Sequence, residues 1–158
     1  MKDIVISQRV VAPVERVFAR ATDFAQTPEV IEGVERVEML TDGETRVGTR
    51  FRETRKMFGR EATEEMEVTE LTPPSGYVLE TESHGAHYST RFSFTPDGEG
   101  TIIQMRFTVK PLSFAAKVMM KLMSPMAKGI SDMIKKDLSD IARALEAEAR
   151  SSSSAQPK

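Results

Sequence analysis

The chain has no cysteine and no tryptophan. Without cysteine there are no disulfides, no thiolate nucleophiles and no cysteine-held metals, and the redox compartment is left open. Histidine is scarce as well: His84 and His87 are the only two, and both flank a turn signal, where exposed polar residues are the default. No metal-binding constellation is present. No apolar run approaches the roughly 20 residues that a membrane-spanning helix needs. The first residues, MKDIVISQRV, lack the uninterrupted apolar core of a signal peptide. There is no glycine-rich phosphate loop; the glycines fall at turns. Neither sign of charge dominates, with 22 Lys and Arg against 24 Asp and Glu. No basic field of the kind that holds nucleic acid is therefore expected. There is no internal repeat. These absences describe a soluble, cytoplasmic protein with no nucleic-acid partner, no metal and no cofactor.

Methionine, by contrast, is abundant, with ten in 158 residues. Four of them fall in KVMMKLMSPM, residues 117–126. The length suits one domain with a single core, expected over residues 1–149. The end, SSSSAQPK, is low in complexity, and residues 150–158 are expected to be a disordered tail.

DIVISQRVV (3–11) is β-branched and predicts a strand. Pro13 can occupy a first helical turn, where its missing N–H costs nothing. Val14, Val17, Phe18 and Ala21 then recur at helical spacing. Thr27 and Pro28 open a second short helix that Gly33 closes. From 34 to 110 the text is strand-like, broken by the turn signals TDGE, FGRE, TPPSG, HGAH and PDGEG. From 113 onward only helix is expected. Ser124 and Pro125 suit a cap and first residue, so the long helix is expected over 125–149, after a shorter one at 113–123. Its apolar stripe is Met126, Ile130, Met133, Ile134, Leu138, Ile141 and Leu145.

Turn chemistry suggests the pairings. A two-residue turn at Gly59-Arg60 sets Phe51 opposite Val68, Glu53 opposite Met66 and Arg55 opposite Glu64. A turn at Gly85-Ala86 sets Thr81 opposite Thr90, Leu79 opposite Phe92 and Tyr77 opposite Phe94. A turn at Asp97-Gly98 sets Phe92 opposite Ile103, Thr90 opposite Met105 and Tyr88 opposite Phe107. All three choices bring the aromatic and aliphatic residues to one shared face, and that agreement across levels supports the sheet.

The order of elements, with VVAPVERVFARATDF (10–24), the Pro28 turn, EVTELTPPSGYVLE (67–80), TPDGEGTIIQMRFTV (95–109) and DLSDIARALE (137–146), resembles the helix-grip superfamily. That superfamily joins START lipid-transfer domains, the major birch-pollen allergen and bacterial polyketide cyclase/dehydrase-like proteins, together called SRPBCC. The resemblance implies an α+β fold in β-α-α-β6-α order. An antiparallel sheet of about seven strands would wrap around the long C-terminal helix. It also implies a cavity between sheet and helix for an apolar small molecule.

The residues themselves point the same way. The inferred concave face holds Phe51, Met66, Tyr77, Leu79, Phe92, Met105 and Phe107, and the helix adds Met126, Ile130 and Met133. Thr81, Ser83, Tyr88 and Thr90 form a polar patch on that face. The cavity is expected to fall in the usual range of roughly 300–1,000 Å³. Methionine is unbranched and polarisable, and it adapts to varied ligand shapes. Residues 117–126 then read as a lid, with Met119 and Met123 turned inward and Lys117 and Lys121 outward. A membrane surface is the less favoured contact for 113–124. Glu53, Arg55 and Glu64 form a polar cluster, expected to sit at a solvated hairpin tip.

Two functions follow. One is non-catalytic binding or transport of a lipid, quinone or polyketide-like molecule. The other is a cyclase or dehydratase acting on a polyketide-like substrate. Apolar walls are plainer in the sequence than an acid/base pair, which favours the first.

Overall fold

The computed structural model describes residues 3–154. Strand β1 (Ile4–Val10) leads into helix α1 (Val14–Ala21), a 3-10 turn (Phe24–Gln26) and a single helical turn, α2 (Thr27–Val30). Six strands follow: β2 (Val34–Met39), β3 (Arg50–Met57), β4 (Arg60–Thr72), β5 (Gly76–Ser83), β6 (Ala86–Asp97) and β7 (Gly100–Pro111). Helix α3 (Phe114–Leu122), a 3-10 turn (Ser124–Met126) and helix α4 (Ala127–Ser154) complete the chain. The seven strands make one antiparallel sheet in the order β1-β7-β6-β5-β4-β3-β2. This is the helix-grip arrangement that the order of elements implied.

Two helix boundaries differ from the sequence reading. Ser124 and Pro125 form a 3-10 turn, so α4 starts at Ala127. Its helix also runs on to Ser154, past the expected end at 149. The tail beyond it, 155–158, lies outside the described residues. Ser113 caps α3, its Oγ accepting from the Ala116 N–H at 3.1 Å.

All three hairpin registers differ from expectation by two residues. Phe51 faces Met66, Glu53 faces Glu64 and Arg55 faces Ala62. Thr81 faces Tyr88, Leu79 faces Thr90 and Tyr77 faces Phe92. Phe92 faces Met105, Thr90 faces Phe107 and Tyr88 faces Val109. The reason lies in the turns. Phe58 and His84 adopt positive φ, at 50° and 51°, each followed by a positive-φ glycine. That pair of conformations is a type I′ turn with glycine second, whereas the sequence reading put glycine first. At the third hairpin Gly98 leads, at φ 62°. A shift of two residues leaves every side chain on its face, so the shared apolar face stands although its partners change.

The core occupies one end of the concave face. Val10, Phe51, Val68, Tyr77, Phe94 and Ile103 are buried there. They pack against Val17 of α1, Phe24, and Ile134, Leu138, Ile141 and Leu145 of α4. Aromatic rings knit this floor together: Phe24 stacks on Phe51 at 4.4 Å, and Tyr77 on Phe92 at 4.7 Å. Helix α4 approaches β1 more closely than any other strand. Leu138→Ala should therefore cost about 2–5 kcal/mol of stability. Leu122→Ala, at a side chain 71% exposed, should stay within about 0.5 kcal/mol. Urea denaturation of the two variants checks the contrast.

Candidate functional site

From this floor toward the hairpin tips most inward side chains become less buried, although Ala86 at the β5–β6 tip is buried again. On β4 the inward series runs from buried Val68 to half-buried Met66, Glu64 and Ala62. On β5 it runs from Tyr77 and Leu79 to half-buried Thr81 and Ser83. On β6 and β7 buried Phe94 and Ile103 give way to half-buried Phe92, Thr90 and Tyr88, and Met105, Phe107 and Val109. Met126 of the 3-10 turn and Ile130 and Met133 of α4 are half-buried too, while Ile134 and Leu138 are buried. The helix thus seals one end of the curved sheet, and toward the other the inward side chains pack against the core only partly buried, along a candidate cleft with apolar walls.

This differs from a closed cavity ringed by Tyr77, Leu79, Phe92, Met105, Phe107 and Met126. Tyr77 and Leu79 belong to the packed floor, and the other four face the cleft. Phe51 is likewise floor, at 1% exposure. The Tyr77 hydroxyl donates to the Ala21 carbonyl at 3.3 Å, and burial pushes its pKa far up. It is a structural tie. Two external grooves lie elsewhere. One of about 420 Å³ runs between α2 and α4 along Pro28, Glu32, Asp140 and Arg143. One of about 470 Å³ is lined mainly by the outward charges Arg50, Arg52, Glu65, Glu67, Glu80 and Glu82.

The cleft has a polar end. Ser83 Oγ lies 3.1 Å from Glu64 Oε1 and donates to it. The same hydroxyl is 2.6 Å from His84 Nδ1. Among the described residues no Lys or Arg nitrogen pairs with Glu64. Burial, and then the charge of Glu64, push the Tyr88 hydroxyl above its usual pKa. Tyr88 therefore keeps its proton and offers a donor beside an acceptor. Its ring lies 6.1 Å from that of Phe107, nearly parallel to it. Thr81 turns its hydroxyl to the Glu65 carbonyl, which leaves Thr90 as the other hydroxyl on this wall. His87 lies on the outer face between Glu80 and Glu82, at 3.1 and 3.4 Å. Among the described residues no three His, Asp or Glu side chains gather as a metal would need.

Arg55 is not at a wet tip and does not pair with Glu64. Its Nε donates to Glu53 Oε1 at 2.9 Å and a terminal nitrogen meets Asp137 Oδ2 of α4 at 3.0 Å. The three side chains are only 13–15% exposed. The partner that the sequence reading missed, Asp137, lies 82 residues along the chain from Arg55. No local spacing announces it; only its place beside Leu138 on the inner flank of α4 could have raised it. Burial disfavours the Arg55 charge, but Glu53 and Asp137 outweigh it and raise the pKa. Burial lifts the Asp137 carboxyl above the usual range against the pull of Arg55, and Glu53 and Asp140 add to the rise. Asp140 behaves oppositely. Burial works against its charge too, yet Lys136, the Glu32 N–H and Arg143 hold its pKa low.

Helix α3 lies across the mouth. Its first turn packs on the β5–β6 tip, where the Leu112 N–H donates to the Gly85 carbonyl at 2.9 Å. A Cβ on Gly85 would lie 3.6 Å from that of Ala116. Ala116 is buried and Met120 half-buried. These two form the inner face of α3, not Met119 and Met123, which are exposed. The β3–β4 tip reaches the same rim, with the Phe58 ring set over Gly129 of α4.

The buried cluster makes a specific expectation. Arg55→Ala strands two carboxylates and should cost about 3–5 kcal/mol at neutral pH. An Asp137 pKa raised in the folded state favours the folded protein at low pH, and that contribution is lost as pH rises through the raised value. Removing Arg55 lifts it further, so the deficit of the variant should shrink on acidification. Glu64→Ala, losing one hydroxyl bond, should cost only about 1 kcal/mol. Urea denaturation across the acid-to-neutral range measures both.

Comparisons with known proteins bear on the fold and on the family. A family model described as "Polyketide cyclase / dehydrase and lipid transport" matches residues 1–146. No curated protein matches the sequence. Among solved structures, a protein of Thermus thermophilus is 18% identical with a TM-score of 0.68, over 90% of this chain and 99% of its own. Major latex-like protein 151 of Panax ginseng is 9% identical at a TM-score of 0.73, over 90% and 96%. The di-domain ARO/CYC StfQ of the steffimycin biosynthetic pathway is 16% identical at a TM-score of 0.73, over 93% of this chain and 52% of that one. These likenesses concern the fold, while the family match spans nearly the whole sequence. The chain belongs to the polyketide cyclase/dehydrase and lipid transport family.

Proposed function

We propose that the chain binds an apolar small molecule that carries one hydrogen-bonding end. The observation that supports this reading is the burial gradient. Met66, Phe92, Met105 and Phe107 pack against the core yet stay only partly buried, although completing their burial would stabilise the fold further, at roughly 25 cal/mol per Å² of apolar surface. Such a surface is kept open when something else covers it. Methionines at the cleft, Met66, Met105, Met126 and Met133, let the wall adapt to a lipid, quinone or polyketide-like body. The polar end of the ligand meets the Glu64 carboxylate as acceptor and the Tyr88 hydroxyl as donor.

The second reading, a cyclase or dehydratase acting on a polyketide-like substrate, draws on Asp137, which holds a proton more readily than a free aspartate. Its Oδ2 is occupied by Arg55, and its Oδ1 lies 3.8 Å from a Cβ built on Gly33. Asp137 therefore faces the α2–β2 connection, away from Tyr88. Carriage without chemistry fits this arrangement better.

Native mass spectrometry of freshly purified protein should show a co-purified apolar compound, and a fluorescent apolar probe should bind saturably. Met105→Trp, which fills the cleft, should weaken that probe by at least about tenfold, since a lost pocket contact of about 1.4 kcal/mol already gives that factor. Asp137→Asn should leave probe affinity unchanged. An empty protein with no saturable binding would overturn the reading. Amides of α3 should exchange faster than those of 130–145, because few buried contacts hold the lid. Bound probe should slow them, and equal protection in both segments would count against a lid.

A further inference from the structure

The outer face of α3 is built for contact. Phe114 is 81% exposed and Leu122 71%. Val118, Met119 and Met123 are exposed beside them, and Leu112 precedes them. At 100° per residue these side chains cover about half of the helix circumference. The inner contact, by Ala116 and Met120, is narrow. An amphipathic surface helix normally turns its apolar side to the core; α3 turns most of its own to solvent.

Charge identifies the partner. From Gly100 to Ser131 the sequence holds Arg106, Lys110, Lys117, Lys121 and Lys128 and no acidic residue, in a chain of net charge −2. Arg106 pairs with Asp3 and Lys128 with Asp132. Lys110, Lys117 and Lys121 make no ion pair among the described residues. Lys117 and Lys121 lie on one flank of the apolar face. A second copy of the chain would bring these lysines together with no carboxylate in the segment to answer them. A helix of nine residues is about 14 Å long, too short to cross the roughly 30 Å hydrocarbon core. It is suited to lying in the interface, apolar side down and lysines at the headgroups.

We propose that α3 docks on an anionic lipid bilayer. Docking would set the mouth of the cleft against the layer in which an apolar ligand dissolves. On sequence alone the membrane contact is the lesser option, because the segment is short and its charge modest; the outward apolar face of α3, with Met119 and Met123 exposed, reverses the order.

Flotation with vesicles of phosphatidylcholine alone, and of phosphatidylcholine with phosphatidylglycerol, tests the proposal on the full chain. The protein should float with the anionic vesicles and not with the neutral ones, and added salt should weaken the association. Lys117→Gln and Lys121→Gln should each reduce it roughly fivefold. The Phe114→Ser/Leu122→Ser variant should lose it while melting like wild type, since both side chains are exposed. Failure to float with anionic vesicles, or flotation unchanged in the serine variant, would overturn the proposal. So would sedimentation showing a dimer that the serine variant dissolves, which would assign the face to a second copy. Vesicle binding needs no occupied cleft. A chain that binds the apolar probe but not the vesicles therefore refutes this proposal alone.

Discussion

The Arg55 guanidinium sits between Glu53 on its own strand and Asp137 on α4, and the placement of the long helix over the sheet depends on it. Near β1 the helix is held by ordinary apolar packing. Toward β3 the gap is crossed by this charged clasp. Hydrophobic contact pulls surfaces together until no space is left, whereas an ion pair between long side chains sets a distance. Two carboxylates and one guanidinium, little exposed, hold only while all three are present, which is why breaking the set is costly.

The clasp separates two environments. Below it the floor is packed, closed by α1, α2 and the middle turns of α4. Above it the same strands carry half-buried aromatic, methionine and hydroxyl side chains into an open cleft. Glu64 and Tyr88 mark its polar end, and neither has an ionic partner among the described residues. A carrier needs no more: an apolar wall that can adapt, one polar reference point and a cover that can move. In the proposed reading, the thin seat of α3 on Ala116 and Met120 would supply the cover, and the apolar outer face of that helix would give it a surface to rest on.

Much of the fold was legible because strand alternation and helical periodicity are local signals. The inward faces of β3 to β7 follow from period two, and the stripe Ile134, Leu138, Ile141 and Leu145 from period 3.6. Register was not legible. Moving a pair by two residues changes no side chain's face, so the apolar pattern scores both registers alike. The choice fell to the turns, where Phe58 and His84 take a left-handed conformation unusual for such residues. Met66, Phe92, Met105 and Phe107 do share the concave face, as strand alternation implied. The charge cluster was half right: Glu53 and Arg55 do meet, Glu64 stands apart, and Asp137 comes from the helix.

Periodicity and turn signals by themselves determined the order of the elements and the apolar face of the sheet, while the class of fold and the family rested on the resemblance carried by segments such as 10–24 and 95–109. Tertiary structure decided which end of that face is filled and which is open, which carboxylate Arg55 meets, and which side of α3 faces the protein. The physical reason is range. Alternation and capping are settled between neighbours in the chain, but burial is settled by whatever segment arrives from elsewhere. Helix α4 covers the floor and meets the β3–β4 tip through Phe58, but among the described residues nothing arrives to cover the outer face of α3. Met119 and Met123 consequently stay in solvent, although their spacing alone would suit a core.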